Sequence, residues 1–230
     1  MKTLFLGLTL GTLTLNAVAC DEQAADYITC IAQQYRQPVA QWPAPQVDAD
    51  VQWQEMAALP AHAPAPPENP FSEAKAALGK QLFNDPKLSR SGQIACASCH
   101  EADMAFADGR RVSFGHDRQS GRRNAPSLVM SGYSPALFWD GRGGTLEQQA
   151  MHPIIDPVEM AFDIPQLLER LNADAAYREQ FGQVFGPGPI TTEHTAQALA
   201  TFQRTLVSAT RNTAFEQLLR GRPQRMSDEQ

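Results

Sequence analysis

Apolar residues three or four positions apart predict a helix that begins after Ser72. Ala74, Leu78 and Leu82 fall on one face of this helix, because one turn contains about 3.6 residues. Ser72 has the side chain of a good N-cap, and the run Asn84-Asp85-Pro86 ends the helix because proline disfavours helical backbone before it. We therefore expect a folded domain to begin here.

Later segments carry the same helical spacing. Asp163 with Gln166 predicts a capping box, and Thr191 predicts the cap of a longer helix whose Leu199 and Phe202 share a face. No window shows the alternation of β-branched and polar residues that is typical of a strand. The pattern therefore predicts an all-α fold.

Two stretches lack helical spacing. Residues 37–70 are rich in Pro and Ala, which predicts an extended arm, and Trp42, Trp53 and Met56 are apolar anchors within it. Residues 100–145 are rich in Gly and Arg and predict a long ordered loop. Loops of this length are usually functional or disordered, so the second stretch is a candidate for a site.

The first 19 residues have the pattern of an export signal. Lys2 precedes an apolar run, and Ala17-Val18-Ala19 is a suitable cleavage site. A membrane-spanning helix is the alternative, but the apolar run is shorter than the roughly 20 residues that a bilayer requires. Cys20 then has two possible fates, a lipid anchor or a disulfide with Cys30. Both fates place the mature chain outside the cytoplasm.

Composition and charge exclude two classes of protein. Hydrophobic residues make up 43% of the chain, which is enough for a core and excludes disorder of the whole chain. The 19 Lys and Arg residues are outnumbered by 25 Asp and Glu residues, the net charge is −6, and no basic stripe is present. Nucleic acid is therefore not an expected partner.

The segment Cys96-Ala97-Ser98-Cys99-His100 has the C-x-x-C-H spacing of a haem c attachment site. Two thiols one turn apart reach the two vinyl groups of a porphyrin, and the adjacent imidazole then binds the iron. A redox disulfide would require a βαβ setting, and a zinc site would require a second ligand pair; the sequence has neither. We therefore expect one covalently bound haem c on Cys96, Cys99 and His100.

Several segments around the C-x-x-C-H motif occur together in a fixed order. They are residues 78–92 before the motif, then Gly115-His116, Arg123-Asn124-Ala125-Pro126-Ser127-Leu128, Phe138-Trp139-Asp140-Gly141-Arg142, Leu146 with Gln149, and Pro157-Val158-Glu159-Met160. With these segments, residues 69–230 resemble the first haem domain of the bacterial di-haem cytochrome c peroxidases. The resemblance implies a cytochrome c-like haem domain with long ordered loops in the periplasm. It also implies hydrogen peroxide as substrate, a small cytochrome c or copper protein as electron donor, and a homodimer as one option.

The resemblance assigns roles to residues around the haem. His100 matches the proximal ligand, and His116 matches the ligand that caps the other face of the iron in the resting enzyme. Relatives that form a tryptophylquinone lack that second ligand, so His116 favours the peroxidase branch. Glu159 matches the distal acid that takes up and returns a proton during O–O cleavage, and Gln149 matches an amide that orients peroxide.

Further residues have more general assignments. Trp139 matches the indole that lies between the two haems, where an oxidisable aromatic relays electrons. Core packing is its ordinary role, and both roles can hold together. Arg122, Arg123 and Arg142 are all candidates for haem propionates. Asn124 matches a ligand of the family's calcium ion.

The sequence departs from the family in having one C-x-x-C-H motif rather than two. We expect a signal peptide at 1–19, an N-terminal extension and Pro-rich arm at 20–70, the haem domain at 71–220, and the start of a truncated second cytochrome domain at 221–230. The distal acid and amide favour a periplasmic cytochrome c peroxidase. The single motif favours the alternative, a mono-haem c-type electron carrier or an inactive haem-binding fragment.

Overall fold

The computed structural model describes residues 20–207 and 213–222. The predicted signal peptide at 1–19 and most of the predicted start of a second cytochrome domain, residues 223–230, lie outside the described residues. The described part divides into two compact units, one of residues 59–207 and one of residues 20–58 with 213–222.

The described residues form helices and loops, which confirms the all-α prediction. The helices are α1 Tyr27–Tyr35, α2 Glu73–Asn84, α3 Leu146–Ile155, α4 Ile164–Ala173, α5 Ala175–Phe185, α6 Thr192–Arg204 and α7 Ala214–Leu219. Short 3-10 turns interrupt the loops at Val39–Gln41, Pro86–Leu88, Cys96–Ser98, Ala102–Met104, His116–Arg118 and Ser131–Tyr133. Within the described ranges, extended pairing is limited to three isolated bridges in the loop between α2 and α3.

The helices begin where the sequence predicts. The side chain of Ser72 accepts a hydrogen bond from the Lys75 backbone N–H at 3.2 Å, and α2 ends at Asn84. Asp163 caps α4, and Thr191 caps α6 by accepting a hydrogen bond from His194. Each cap satisfies a backbone donor that would otherwise lack a partner at the helix start.

The core of the larger unit is built around α6, which packs against α2 and α3. A β-carbon on Gly79 of α2 would overlap with the carbonyl oxygen of Ala198 in α6, so glycine is what allows the two helices to cross this closely. The buried apolar residues of this core include Leu78, Leu82, Phe83, Ile154, Leu167, Leu171, Tyr177, Phe181, Leu199 and Phe202.

Residues 59–70, which the sequence assigned to the arm, belong to the larger unit. Ala63 is fully buried, and its N–H donates to the carbonyl oxygen of Arg204 at 2.8 Å. Asn69 is also buried and donates its amide to Glu147 at 2.7 Å. These contacts hold the end of the arm against α3 and α6.

The smaller unit contains α1 and α7. In it Cys20 and Cys30 are joined by a disulfide, one of the two fates expected for Cys20. A lipid on the same sulfur would exclude this bond within one chain. Tyr35 packs edge-on against Trp42 at 5.1 Å between ring centroids. In the part of the chain that the structure describes, no helix combines the length and apolar character needed to cross a bilayer.

Candidate functional site

The C-x-x-C-H motif lies on a 3-10 turn that follows the end of α2. Ser98 closes this turn by accepting a hydrogen bond from the Ala95 N–H at 3.0 Å, and the His100 N–H donates to the Cys96 carbonyl oxygen at 3.1 Å. Burial raises the pKa of the Cys96 thiol to about 12 and also raises the pKa of Cys99. The two thiols are therefore protonated near neutral pH, and both face the same cavity.

The imidazole of His100 is oriented by the backbone. Its Nδ1 lies 2.8 Å from the carbonyl oxygen of Phe106. When Nδ1 carries the hydrogen and donates it to this oxygen, Nε2 of the neutral ring has the lone pair. Burial lowers the pKa of His100, which favours the neutral ring. Histidines that bind metals usually make this kind of backbone hydrogen bond with the other ring nitrogen. This hydrogen bond therefore leaves Nε2 of His100 available to a metal.

The cavity beside the motif has a volume of about 810 Å³. This is within the range of about 300–1,000 Å³ that is typical of cofactor sites. Cys96, Cys99 and His100 line it, and apolar side chains and three arginines complete its wall. Two thiols and a pre-oriented imidazole at an apolar cavity are the groups that a covalently bound haem c requires.

Gln149 and Glu159, the distal residues of the resemblance, line the same cavity. Thr145 caps α3 and thereby sets the first turn that carries Gln149. Glu159 follows the end of α3 and is exposed at the cavity wall. Desolvation by the surrounding protein atoms and the nearby Asp156 carboxylate raise the pKa of Glu159, and Arg142 partly offsets this rise. A carboxyl group with a raised pKa can both accept and return a proton near neutral pH.

His116 is next to the cavity but does not line it. Its backbone N–H donates to the carbonyl oxygens of Val158 and Glu159 at 3.1 and 2.8 Å, so the His116 backbone is bonded to two residues that line the cavity. Its Nε2 lies 3.5 Å from Oδ2 of Asp117, and its Nδ1 is buried without a hydrogen-bond partner among the described residues. Its role as the second iron ligand therefore stays a prediction.

Trp139 lines the cavity, but 64% of its surface is exposed. The indole is therefore not packed into a core formed by the described residues. The reason is local: the indole N–H donates to the carbonyl oxygen of Asn124 at 2.9 Å, which holds the ring at the rim. The predicted electron relay stays a prediction.

The three candidate arginines have different partners. Arg142 and Arg123 share the carboxylate of Asp140 at 2.7 and 2.9 Å, and their hydrogen bonds lower the pKa of Asp140 to about 2. Arg142 also stacks on the Phe138 ring, with 3.6 Å between its guanidinium carbon and the ring centroid. Arg122 lines the cavity and makes no ion pair or hydrogen bond with the described residues. It is therefore the arginine with the most available donors.

Asn124 also lines the cavity, and its amide nitrogen donates to the carbonyl oxygen of Arg110 at 2.5 Å. In residues 20–207 and 213–222 no three His, Cys, Asp or Glu side chains form a cluster that could hold a metal. The calcium assignment therefore depends on the resemblance alone.

Two groups at the site were missed by the sequence analysis. His152 lines the cavity from α3, one turn after Gln149, and this spacing was the available signal. Ser113 lines the cavity as well and is hydrogen-bonded to both Cys99 and the buried Asp108. Burial alone would raise the pKa of Asp108, but bonds from Ser113 and the Arg110 N–H hold it below its usual range. No periodic pattern marks Ser113 in advance.

The chain is similar to known proteins over most of its length. Residues 73–224 match the family model described as di-haem cytochrome c peroxidase. The chain is 48% identical over 145 residues to methylamine utilization protein MauG of Methylophilus methylotrophus, covering 63% of this chain and 43% of that protein. It is 42% identical over 153 residues to cytochrome c551 peroxidase of Nitrosomonas europaea, covering 66% and 45%.

A solved structure is similar as well. The crystal structure of a MauG-like protein associated with microbial copper homeostasis has a TM-score of 0.66 at 34% identity, over 77% of this chain and 52% of that chain. The chain spans about half the length of the curated relatives it matches.

Proposed function

The chain belongs to the di-haem cytochrome c peroxidase family, and from this membership we propose that it is a periplasmic haem peroxidase that reduces hydrogen peroxide with electrons from a small redox protein. The observation that supports this proposal best is the shared cavity. One cavity is lined by the haem-attachment residues Cys96, Cys99 and His100, by the acid–base candidate Glu159 and by Gln149, the candidate that orients peroxide.

Haem c, once attached, supplies the iron at which peroxide binds and electrons are exchanged. Cys96 and Cys99 would hold the group by thioether bonds, and Nε2 of His100 would bind the iron while Nδ1 stays on the Phe106 carbonyl oxygen. Arg122, which has no carboxylate partner among the described residues, would pair with a propionate.

The protons of the reaction pass through Glu159. Reduction of one hydrogen peroxide molecule to two waters consumes two electrons and two protons. Glu159 takes a proton from the oxygen of peroxide that binds and returns it to the oxygen that leaves, and its raised pKa suits both steps. Gln149 orients the peroxide by hydrogen bonds from its amide. The two electrons come from a cytochrome c or a copper protein, with Trp139 at the rim as a relay.

Asn124 is proposed as a ligand of a calcium ion. Its amide nitrogen is used by the Arg110 carbonyl oxygen, which leaves the side-chain oxygen for a cation. A calcium titration of the wild-type protein and of Asn124→Ala, followed by calorimetry, tests this assignment. Equal heats for the two proteins would remove Asn124 from the site.

The first experiment is to mature the chain in a periplasm with a c-type haem attachment system. Intact mass and a pyridine haemochrome spectrum are expected to show one covalent haem per chain. A haem-containing chain that consumes no peroxide would support the electron-carrier or fragment alternative. A chain without covalent haem would refute the proposed function.

Glu159→Gln tests the acid–base role. Turnover of peroxide is expected to fall by about 10²–10⁴-fold, the usual contribution of a positioned acid or base, while the haem spectrum is unchanged. The wild-type rate is expected to decline as the pH falls through the raised pKa of Glu159, above the ordinary value of 4.5, and Glu159→Gln should lack this decline. Glu169→Gln, an exposed carboxyl on α4, is the control. Unchanged turnover in Glu159→Gln would remove Glu159 from the mechanism.

A further inference from the structure

Asp108 is a buried carboxylate close to the haem-attachment motif. Only 8% of its surface is exposed, and it makes no salt bridge with a described residue. Its Oδ1 accepts a hydrogen bond from the Arg110 backbone N–H at 3.0 Å, and Ser113 supplies a second hydrogen bond. Burial would raise the pKa of Asp108, but these bonds outweigh burial and hold the pKa below the ordinary 3.8. Asp108 is therefore an anion at neutral pH.

The path of the chain places Asp108 opposite His100. The Glu101 N–H donates to the Ala107 carbonyl oxygen at 2.8 Å, and these two residues form an isolated antiparallel bridge. His100 and Asp108 are the next residues outward from this bridge, one on each side. Opposed residues in an antiparallel pair project to the same face. Burial lowers the pKa of His100, and the Asp108 carboxylate on that face partly offsets this effect.

The imidazole and the carboxylate are held by the same loop. Nδ1 of His100 lies 2.8 Å from the carbonyl oxygen of Phe106, which precedes Asp108 by two residues. Ser113 bonds to Asp108 and to Cys99. A carboxylate only accepts hydrogen bonds, so the Ser113 O–H donates to Asp108 and its oxygen accepts from the Cys99 thiol. Thioether formation removes that thiol hydrogen and leaves the bond from Ser113 to Asp108 intact.

Arg110 does not cancel the charge of Asp108. Its positive charge also lowers the pKa of Asp108, but Arg110 is exposed, and its guanidinium carbon lies 5.7 Å from the centroid of the exposed Phe114 ring. Water and salt screen a charge at the surface more strongly than a buried one. The buried carboxylate therefore remains an electrostatic influence on the imidazole of His100.

We propose that Asp108 is a positioning residue of the haem site and lowers the reduction potential of the haem iron. The inference rests on the proposed function for the covalent haem and for His100 as its iron ligand. One electron from the donor protein converts ferric to ferrous iron and so lowers the charge of the iron by one. A buried anion beside the ligand therefore stabilises the ferric state. The groups around a metal ligand are a general means of setting a reduction potential.

The test is a spectroelectrochemical titration of the haem-loaded protein at neutral pH. Asp108→Asn removes the charge and keeps the size of the side chain, and we expect it to shift the midpoint potential upward. Asp108→Glu restores the charge and is expected to return most of the shift. Asp103→Asn, an exposed carboxylate in the same loop, is the control and is expected to have the wild-type potential.

Ser113→Ala separates the charge from the hydrogen bond. This variant removes one bond to Asp108 but keeps the carboxylate, so its shift is expected to be smaller than that of Asp108→Asn. Ferric and ferrous optical spectra of both variants are expected to match those of the wild type, because His100 stays on the iron. Equal shifts in Ser113→Ala and Asp108→Asn would assign the effect to the lost bond and overturn the role of the charge.

The remaining outcomes also decide. A midpoint potential of Asp108→Asn equal to or below that of the wild type would overturn the proposal. If Asp108→Asn retains no haem, Asp108→Ser and Asp108→Ala are titrated in its place; loss of haem from all three would show a role in folding and overturn the proposal too. In each of these cases the wild type keeps its covalent haem and peroxide turnover, so the proposed function would stand. A wild-type chain without covalent haem would overturn both.

Discussion

At the scale of single residues, the least expected feature is a buried ionic network behind the cavity wall. Glu147 on α3 accepts two hydrogen bonds from Arg204 on α6, at 2.7 and 3.2 Å, and a third from Asn69. The ammonium group of Lys75 on α2 donates a hydrogen bond to the side-chain oxygen of Asn69 at 2.8 Å and so belongs to the same network. Burial and the nearby Arg204 lower the pKa of Lys75. One carboxylate therefore faces two cations, of which Arg204 is the one it contacts directly.

Glu147→Ala is expected to lower the free energy of unfolding by about 3–5 kcal/mol, because it leaves the Arg204 charge buried without its partner. Urea denaturation at neutral pH measures this loss. Glu169→Ala, on the exposed face of α4, is the control and is expected to change stability by less than about 0.5 kcal/mol. A similar small change for Glu147→Ala would show that the network is not a source of stability.

The same network has a pH dependence. Burial alone would raise the pKa of Glu147, but the bonds from Arg204 and Asn69 outweigh it and hold the pKa below the ordinary 4.5. A carboxyl with a lowered folded-state pKa stabilises the fold above its unfolded pKa, and this contribution is lost as the pH falls through the folded value. The stability difference between wild type and Glu147→Ala is therefore expected to shrink below pH 4.5. A stability difference between the two proteins that stays constant down to about pH 3 would contradict this linkage.

At the scale of elements, the crossing of α2 and α6 depends on Gly79. Its hydrogen atom faces the Ala198 carbonyl oxygen, and the β-carbon of Phe202 is also close. Because α2 leads into the C-x-x-C-H turn, the position of this crossing also sets where the turn lies.

A matched pair of glycine substitutions tests the crossing. Gly79→Ala is expected to destabilise the fold by about 1–3 kcal/mol, because the added methyl group overlaps with backbone. Gly182→Ala, within α5, meets no neighbouring atom within 4 Å and is expected to stabilise by about 0.5–1 kcal/mol through higher helix propensity. Chemical denaturation of both variants measures the difference, and equal effects in the two would refute the role of the crossing.

At the scale of the whole molecule, the cavity is assembled from segments far apart in the chain. Residues 94–100, the loop 113–142, α3 with the segment after it, and Leu199 with Gln203 of α6 all contribute to its lining. A haem that contacts all of them joins them into one unit, because a group bound only by the folded state stabilises that state.

Replacement of both attachment cysteines tests this coupling. Cys96→Ala with Cys99→Ala is expected to lose the covalent haem and to lower the Tm by more than about 5 °C, since about 1 kcal/mol moves the Tm of a chain this long by about 2–4 °C. Binding of an apolar dye should increase. Wild-type chain made without haem attachment is the control and should behave like the double variant; a Tm equal to that of the haem form would contradict the coupling.

The sequence by itself determined the all-α class, the caps at Ser72, Asp163 and Thr191, and the haem-attachment motif. These features depend on residues within a few positions of each other, where helical spacing and side-chain chemistry are sufficient. The resemblance added Gln149 and Glu159, which the structure places in the cavity lining.

Only the tertiary structure decided which side chains meet across the cavity. It placed His152 in the lining and His116 outside it, held Trp139 at the exposed rim, and paired Glu147 with Arg204. Each of these outcomes depends on loop conformations or on helices that are distant in the chain. The physical reason is that a local pattern specifies the face on which a side chain projects, while long-range packing determines what that face contacts.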